Sequence, residues 1–134
     1  MRAGAVIVAG GQGARMGPGR EKLLLPMGGM PLLARTLLPF EACPEIMEIV
    51  VVAHPNLGAK LRGEVIDPGK IGKVSRIVPG GPRRQDSGYN GLRALSETAE
   101  IALIHDGDRP FASEELIRAV LAAAAAGGAL AAVR

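Results

Sequence analysis

Aromatic residues are almost absent from this sequence. Phe40, Tyr89 and Phe111 are the only ones, 2% of 134 residues, and there is no tryptophan. Three rings are too few for the stacking platforms of a single-strand nucleic-acid binder, so no nucleic-acid partner is expected. Cysteine is equally scarce. The lone Cys43 excludes an intrachain disulfide framework and a cysteine-based zinc site, and it fits a reducing, cytoplasmic setting. Long hydrophobic runs are missing too. The longest, Ala119–Val133, falls short of the roughly 18 residues of a membrane span and is broken by Gly127-Gly128. At the N-terminus, the brief apolar run Ala3–Ala9 leads into glycines, which suits a first strand rather than a signal peptide.

Glycine (19) and proline (10) are present at about double their average usage, which points to many turns and close backbone approaches. With 48% apolar and 22% charged residues, the chain has the composition of one compact domain with a sizeable core. The formal charge of +3 has two readings. One is an arginine-rich composition with no partner implied; the other is an anionic ligand, if the basic residues converge.

Apolar, β-branched runs alternate with helical patterns. Ala3–Ala9, Glu48–Ala53 and Ile101–His105 read as buried strands, Ser75–Val78 as a shorter one, and Ala129–Val133 as the start of another. Helices are expected over Pro31–Phe40, with Pro31 in its first turn, over Ser87–Leu95, capped by Asp86 or Ser87, and over Ser113–Ala126, capped by Ser113. Leu57–Lys73 reads as a loop with one short helix. The alternation predicts an open, doubly wound, mostly parallel α/β sheet in a single domain. Ligands of such sheets sit beyond the carboxyl ends of the strands, so the loops after Ala9, Ala53, Val78 and His105 are the ones to inspect.

The first of these runs Ala9-Gly10-Gly11-Gln12-Gly13-Ala14-Arg15-Met16-Gly17. Glycines there let backbone N–H groups approach phosphate oxygens. A dinucleotide fingerprint is rejected, because Met16 stands where its third glycine belongs and Val52-Ala53-His54 lacks its acid. A P-loop is rejected as well, since neither Gly69-Lys70-Ile71 nor Gly72-Lys73-Val74 supplies Gly-Lys-Ser/Thr. Arg15, Arg20 and Lys22 add cations. They are either solvated loop charges or part of a triphosphate cradle in which Arg15 and Lys22 meet phosphoryl oxygens.

The Gly10–Gly17 loop, then Lys22 and Leu25-Pro26-Met27-Gly28-Gly29-Met30-Pro31-Leu32-Leu33, resembles the nucleotidyltransferases of the GT-A-like, Rossmann-like α/β fold. Two further stretches narrow the resemblance. Gly80-Gly81-Pro82-Arg83-Arg84-Gln85-Asp86-Ser87-Gly88-Tyr89-Asn90-Gly91-Leu92 and Ile104-His105-Asp106-Gly107-Asp108-Arg109-Pro110 resemble motifs of the 2-C-methyl-D-erythritol 4-phosphate cytidylyltransferase family. Gly88 stands where that family usually has valine, and Gly107 and Asp108 stand for two alanines. Leu23-Leu24 replaces the family's Gln-Tyr and leans toward the guanylyltransferases of the superfamily.

Taken as residues alone, Gly80–Leu92 reads first as a glycine-rich turn with a capped helix and only second as a base site. In the latter, Gly80-Gly81 backbone presses on a flat ring and Ser87 donates to a base or phosphate oxygen. A carboxylate at a strand's carboxyl end beside phosphates is a natural Mg²⁺ ligand, which is the metal role expected of Asp106. Asp108 is a second ligand or a solvated turn residue. His54 and His105 read as an exposed loop residue and a hydrogen-bonded strand-end residue, and Cys43 as a small buried filler.

The resemblance implies cytidylyl transfer from CTP to a sugar-alcohol phosphate, 2-C-methyl-D-erythritol 4-phosphate, with release of pyrophosphate and with Mg²⁺ as cofactor. Arg15 and Lys22 would stabilise charge on the α-phosphate. Ala9, Gly10, Gly11, Gly13, Gly80, Gly81, Arg84, Ser87 and Gly107 would bind the nucleotide; Asp106 and Arg109 would bind the acceptor. Relatives of this family continue past Arg134 with an Asp-Thr motif, further basic residues, a late lysine and a dimerisation arm. The chain is therefore expected to be the nucleotide-binding portion, with the acceptor and dimer parts absent and a homodimer left open. Two other readings stand beside it: a nucleotide-binding domain without catalysis, and a related guanylyltransferase or ribitol-phosphate cytidylyltransferase.

Overall fold

The computed structural model describes residues 2–9, 22–127 and 131–132. The first strand, β1 (Ala3–Val8), is buried at every position. Such a strand must be covered on both faces, and that requirement organises the rest. A small antiparallel hairpin follows, β2 (Pro26–Met27) and β3 (Met30–Pro31), turning at Gly28 and Gly29. Both glycines have positive φ, 64° and 90°, which a side chain would strain. This hairpin was not anticipated. Arg35 holds its turn by donating to Met27 O (2.9 Å) and Gly28 O (2.7 Å).

Then come α1 (Leu32–Ala42), β4 (Ile46–Ala53) and a continuous helical segment, α2, over residues 55–69. Pro31 caps α1 from outside instead of occupying its first turn. The α2 segment replaces the expected loop with one short helix. Leu57, Leu61, Val65 and Ile66 recur along it at helical spacing and are all buried. It contains one π turn, Arg62–Ile66, and ends at Lys70, whose φ of 54° makes a left-handed cap; the Ile71 amide reaches back to Ile66 O at 3.1 Å. The remaining elements are β5 (Val74–Pro79), α3 (Arg84–Ala94), β6 (Ile101–Asp106), α4 (Glu114–Gly127) and β7 (Ala131–Ala132). Ser113 caps α4 as expected, accepting the Leu116 amide at 3.0 Å.

The five long-range strands pair in the order β5-β4-β1-β6-β7, and every pairing is parallel. An open, doubly wound parallel sheet is thus what the sequence pattern predicted. Ala3, Ala5 and Ile7 of β1 face a large core built with α1, α2 and α4. Val6 and Val8 face a smaller cluster beneath α3, with Val52 and the half-buried Leu92 and Leu95. The approach of α3 is close because its inner face carries small residues. A Cβ built on Gly91 would lie 2.3 Å from Val6 Cγ1 and 2.9 Å from Val52 Cγ2. Cys43 is buried, as expected, and its thiol is pushed up chiefly by burial, with the Glu45 carboxylate adding to it. No described helix is long and apolar enough to cross a membrane.

Candidate functional site

The strand order reverses at β1, which lies between β4 and β6. The crevice at the carboxyl ends of β1 and β6 is therefore the topological switch point where ligands of open α/β sheets bind. Val8 and Asp106 face each other across that pair. One residue further on, the Gly107 amide donates to Val8 O at 2.8 Å. Gly107 sits tightly against the chain entering the glycine loop: a Cβ there would lie 3.1 Å from Ala9 Cα and 3.2 Å from Leu33 Cδ1. Of the expected nucleotide-binding residues, Ala9 and Gly107 are thus brought together. Gly10, Gly11, Gly13 and Arg15 lie outside the described residues. Lys22 opens a short 3₁₀ turn, Lys22–Leu24, and its side chain also lies outside the described part.

The second wall is the segment from the end of β5 into α3. Gly80 and Gly81 are both buried. Ser87 was expected at the helix start as a cap, or as a donor to ligand. The helix instead begins at Arg84, so Ser87 lies one turn inside it, fully buried, where its hydroxyl accepts the Gly81 amide at 3.0 Å. A Cβ on Gly81 would lie only 2.4 Å from Asp86 Cβ, so the two glycines fold against the first turn of α3. Asp86 caps that turn from within it. Its carboxylate accepts the Arg83 amide (3.2 Å) and the Arg83 guanidinium (Nε and Nη2, both 3.0 Å). The guanidinium hydrogen bonds and charge hold the Asp86 carboxyl below its usual range. Asn90 Nδ2 donates to Pro79 O at 3.1 Å and ties α3 to the end of β5.

The two walls meet at Asp106. Arg84, from the first turn of α3, donates to Asp106 Oδ1, and Arg109 Nε stands 3.3 Å from Asp106 Oδ2. The glycine-rich motif and the Asp-Gly-Asp-Arg motif, far apart in the chain, therefore share one carboxylate. The arginines remain about half exposed, with side-chain exposures of 55% and 59%, so both stay open to solvent-borne ligand.

Sequence reasoning missed how the turn after β6 is held. Thr36, on the buried face of α1, donates to Gly107 O at 2.7 Å. His105, buried against the Phe40 ring, donates from Nε2 to Arg109 O at 2.7 Å. A threonine at helical spacing among Leu33, Leu37 and Phe40 gave no signal beyond its being a polar residue on an apolar face. His105 fits its expected role as a hydrogen-bonded strand-end residue. His54 also serves the backbone, its Nδ1 accepting the Asn56 amide at 3.1 Å.

The donor chemistry suits a hard cation only in part. Among the described residues no group of three or more His, Cys, Asp or Glu side chains is placed to hold a metal. Asp106 offers carboxylate oxygens at the mouth of the crevice, and its arginine partners form solvent-exposed pairs that a cation can displace at little cost. A Mg²⁺-type ion, which takes one or two carboxylates and completes its shell with phosphates and water, fits such a site. A dedicated protein cage does not.

With this geometry in place, the relatives are informative. The family model for IspD, 2-C-methyl-D-erythritol 4-phosphate cytidylyltransferase, matches residues 3–134. The Geobacter metallireducens protein of that name is 45% identical over 133 residues, covering 96% of this chain and 57% of the relative. The Clostridium botulinum (strain Okra) protein is 45% identical over 112 residues, covering 84% of this chain and 48% of the relative. The chain thus spans about half the length of the curated relatives it matches. Among solved structures, 4-diphosphocytidyl-2C-methyl-D-erythritol synthase from Anaerococcus prevotii superposes with a TM-score of 0.73 at 30% identity, over 91% of this chain and 50% of that one. Rv0371c from Mycobacterium tuberculosis, also solved as a complex with manganese, shares the fold at TM-scores of 0.70 and 0.67 but only 17–18% identity. The chain belongs to the IspD family of 2-C-methyl-D-erythritol 4-phosphate cytidylyltransferases.

Proposed function

We propose that this chain is the nucleotide-binding portion, residues 1–134, of an enzyme that transfers a cytidylyl group from CTP to 2-C-methyl-D-erythritol 4-phosphate and releases pyrophosphate. The observation that carries the reading is the convergence of two family motifs on Asp106, through Arg84 on one side and Arg109 on the other. The acceptor's phosphate oxygen attacks the α-phosphorus of CTP, pyrophosphate leaves, and no covalent enzyme intermediate forms. Catalysis then consists of positioning and of stabilising charge on the α-phosphate.

In this reading Gly80, Gly81 and Ser87 shape the base pocket. The Ser87 hydroxyl accepts the Gly81 amide and retains its own proton for a base oxygen or a neighbouring backbone carbonyl. Ala9, Gly10, Gly11, Gly13 and Gly107 let the triphosphate approach the ends of β1 and β6, and Arg15, Lys22 and Arg84 supply positive charge. Asp106 and Arg109 receive the acceptor, with the aspartate taking hydroxyls and the arginine the phosphate. Asp106 is also the residue that would hold a divalent cation, Mg²⁺ by preference; such an ion, when bound, withdraws charge from the phosphates. The enzyme is proposed to work in the cytoplasm without nucleic-acid or membrane partners.

Pyrophosphate release measured with CTP and with GTP, each with and without the sugar phosphate, tests the reading. Release is expected only with CTP and acceptor together. Release with GTP would move the chain to the guanylyltransferases. Nucleotide binding without release would make this portion a binding domain.

A further inference from the structure

We infer that Thr36 is a positioning residue, acting on the reaction through the turn that carries Asp106 and Arg109; the inference rests on the roles proposed above for those two residues. Three polar side chains are buried among the described residues: Thr36 and His105, each 1% exposed, and Ser87, fully buried. Each spends a hydrogen bond on the backbone of a loop at the candidate site. Ser87 holds Gly81, His105 holds the Arg109 carbonyl, and Thr36 holds the Gly107 carbonyl. A core needs no hydroxyl at position 36 for packing. Valine has the same shape and avoids burying a polar group.

The geometry shows what the hydroxyl does. A helical threonine ordinarily bonds back to the carbonyl four residues earlier, and Leu32 O lies at 3.3 Å. The shorter contact, 2.7 Å, goes to Gly107 O, 71 residues away in sequence. The Gly107 amide is meanwhile held by Val8 O at 2.8 Å. Both peptide planes flanking Gly107 are therefore fixed, one by β1 and one by α1. Gly107 has no Cβ to limit its own backbone, so those two bonds define the turn. Asp106, one residue before, is aimed by the first plane. Arg109 is held by its own amide to Asp106 O at 3.2 Å and by His105 on its carbonyl. Without the Thr36 hydroxyl, the buried Gly107 carbonyl loses its partner and the peptide plane after Gly107 can rotate, which moves the stretch carrying Arg109, and with it the guanidinium, relative to Asp106. A misplacement of about 1 Å in such a group costs on the order of 100-fold in rate.

The test compares Thr36→Val, Thr36→Ser and Arg109→Ala in the intact protein. Thr36→Val is expected to lower kcat/KM for the acceptor on the order of 10- to 100-fold at a temperature where it stays folded. Thr36→Ser, which keeps the hydroxyl, is expected to restore it to within a few-fold. In the Arg109→Ala background, Thr36→Val should bring little further loss, because the group it positions is already gone. The inference is overturned if Thr36→Ser is as impaired as Thr36→Val, or if the Thr36→Val and Arg109→Ala losses simply multiply. Amide exchange supplies a readout independent of turnover. The Arg109 amide, which closes the turn on Asp106 O, should exchange on the order of tenfold faster in Thr36→Val than in wild type, with Thr36→Ala standing in if the valine variant does not fold. Unchanged exchange overturns the inference even where activity is absent. A wild-type protein that releases no pyrophosphate counts against the proposed reaction, not against the clamp.

Discussion

Ser87, fully buried on α3, accepts the amide of Gly81 at 3.0 Å, so the helix and the glycine pair before it form one folded unit. The bond crosses from the second turn of α3 to the loop expected to press on a nucleotide base. Removing the hydroxyl leaves a buried backbone donor without its partner. Ser87→Ala should therefore destabilise the domain by about 1–3 kcal/mol, read by urea denaturation. CTP binding should weaken as well. A variant as stable as wild type would mean that the Gly81 amide finds another acceptor.

Two glycines of the same helix should respond in opposite directions. A Cβ on Gly88 would lie 3.8 Å from Ile104 Cδ1, an ordinary contact, whereas on Gly91 it would meet Val6 Cγ1 at 2.3 Å. Gly88→Ala should stabilise by up to about 1 kcal/mol through helix propensity. Gly91→Ala should destabilise by about 1–3 kcal/mol, because α3 must lift from the sheet. Denaturation midpoints decide it, and two shifts of the same sign would contradict this packing of α3.

The Arg83–Asp86 pair sets a pH dependence. The Asp86 carboxyl is held below its ordinary value of 3.8, principally by the hydrogen bonds from the Arg83 side chain. A carboxylate with a lowered pKa in the folded state contributes stability above its unfolded pKa and loses it as pH falls through the folded one. The difference in Tm between wild type and Asp86→Asn should be constant from pH 8 to about 5 and shrink only below about pH 4. A difference that already changes near neutrality would assign the effect to another group.

Lys22 is expected to act on charge that develops during transfer, as its place in the Gly10–Lys22 motif implies. Lys22→Ala should lower kcat on the order of 10²–10³-fold while changing the affinity for CTP much less. Equal losses in turnover and affinity would reduce the lysine to a ground-state contact.

Much of the sheet was legible in the sequence because a strand covered on both faces must be apolar throughout. Ala3–Val8, the interior of β4 and the Ile101–Ile104 part of β6 carry that mark. The helix over residues 55–69 did not, because Pro55, Gly58, Gly63, Pro68 and Gly69 give the segment the composition of a loop. Only packing of Leu57, Leu61, Val65 and Ile66 against the core shows it to be helical. At the candidate site, the motifs named Asp106, Arg109, Arg84 and Ser87, but their mutual arrangement was invisible. Ser87 looked like a cap and lies inside the helix instead.

The sequence by itself determined the alternation of strands and helices, the family, and the set of polar residues at the carboxyl ends of the strands. These are local properties, carried by periodicity and by short motifs. Tertiary structure alone decided that Arg84 and Arg109 share Asp106, and that Thr36 reaches across 71 residues to hold Gly107. The reason is physical. Which donor satisfies a buried carbonyl, or which cation flanks a carboxylate, depends on strand order and helix packing. Neither is written in any short stretch of the chain.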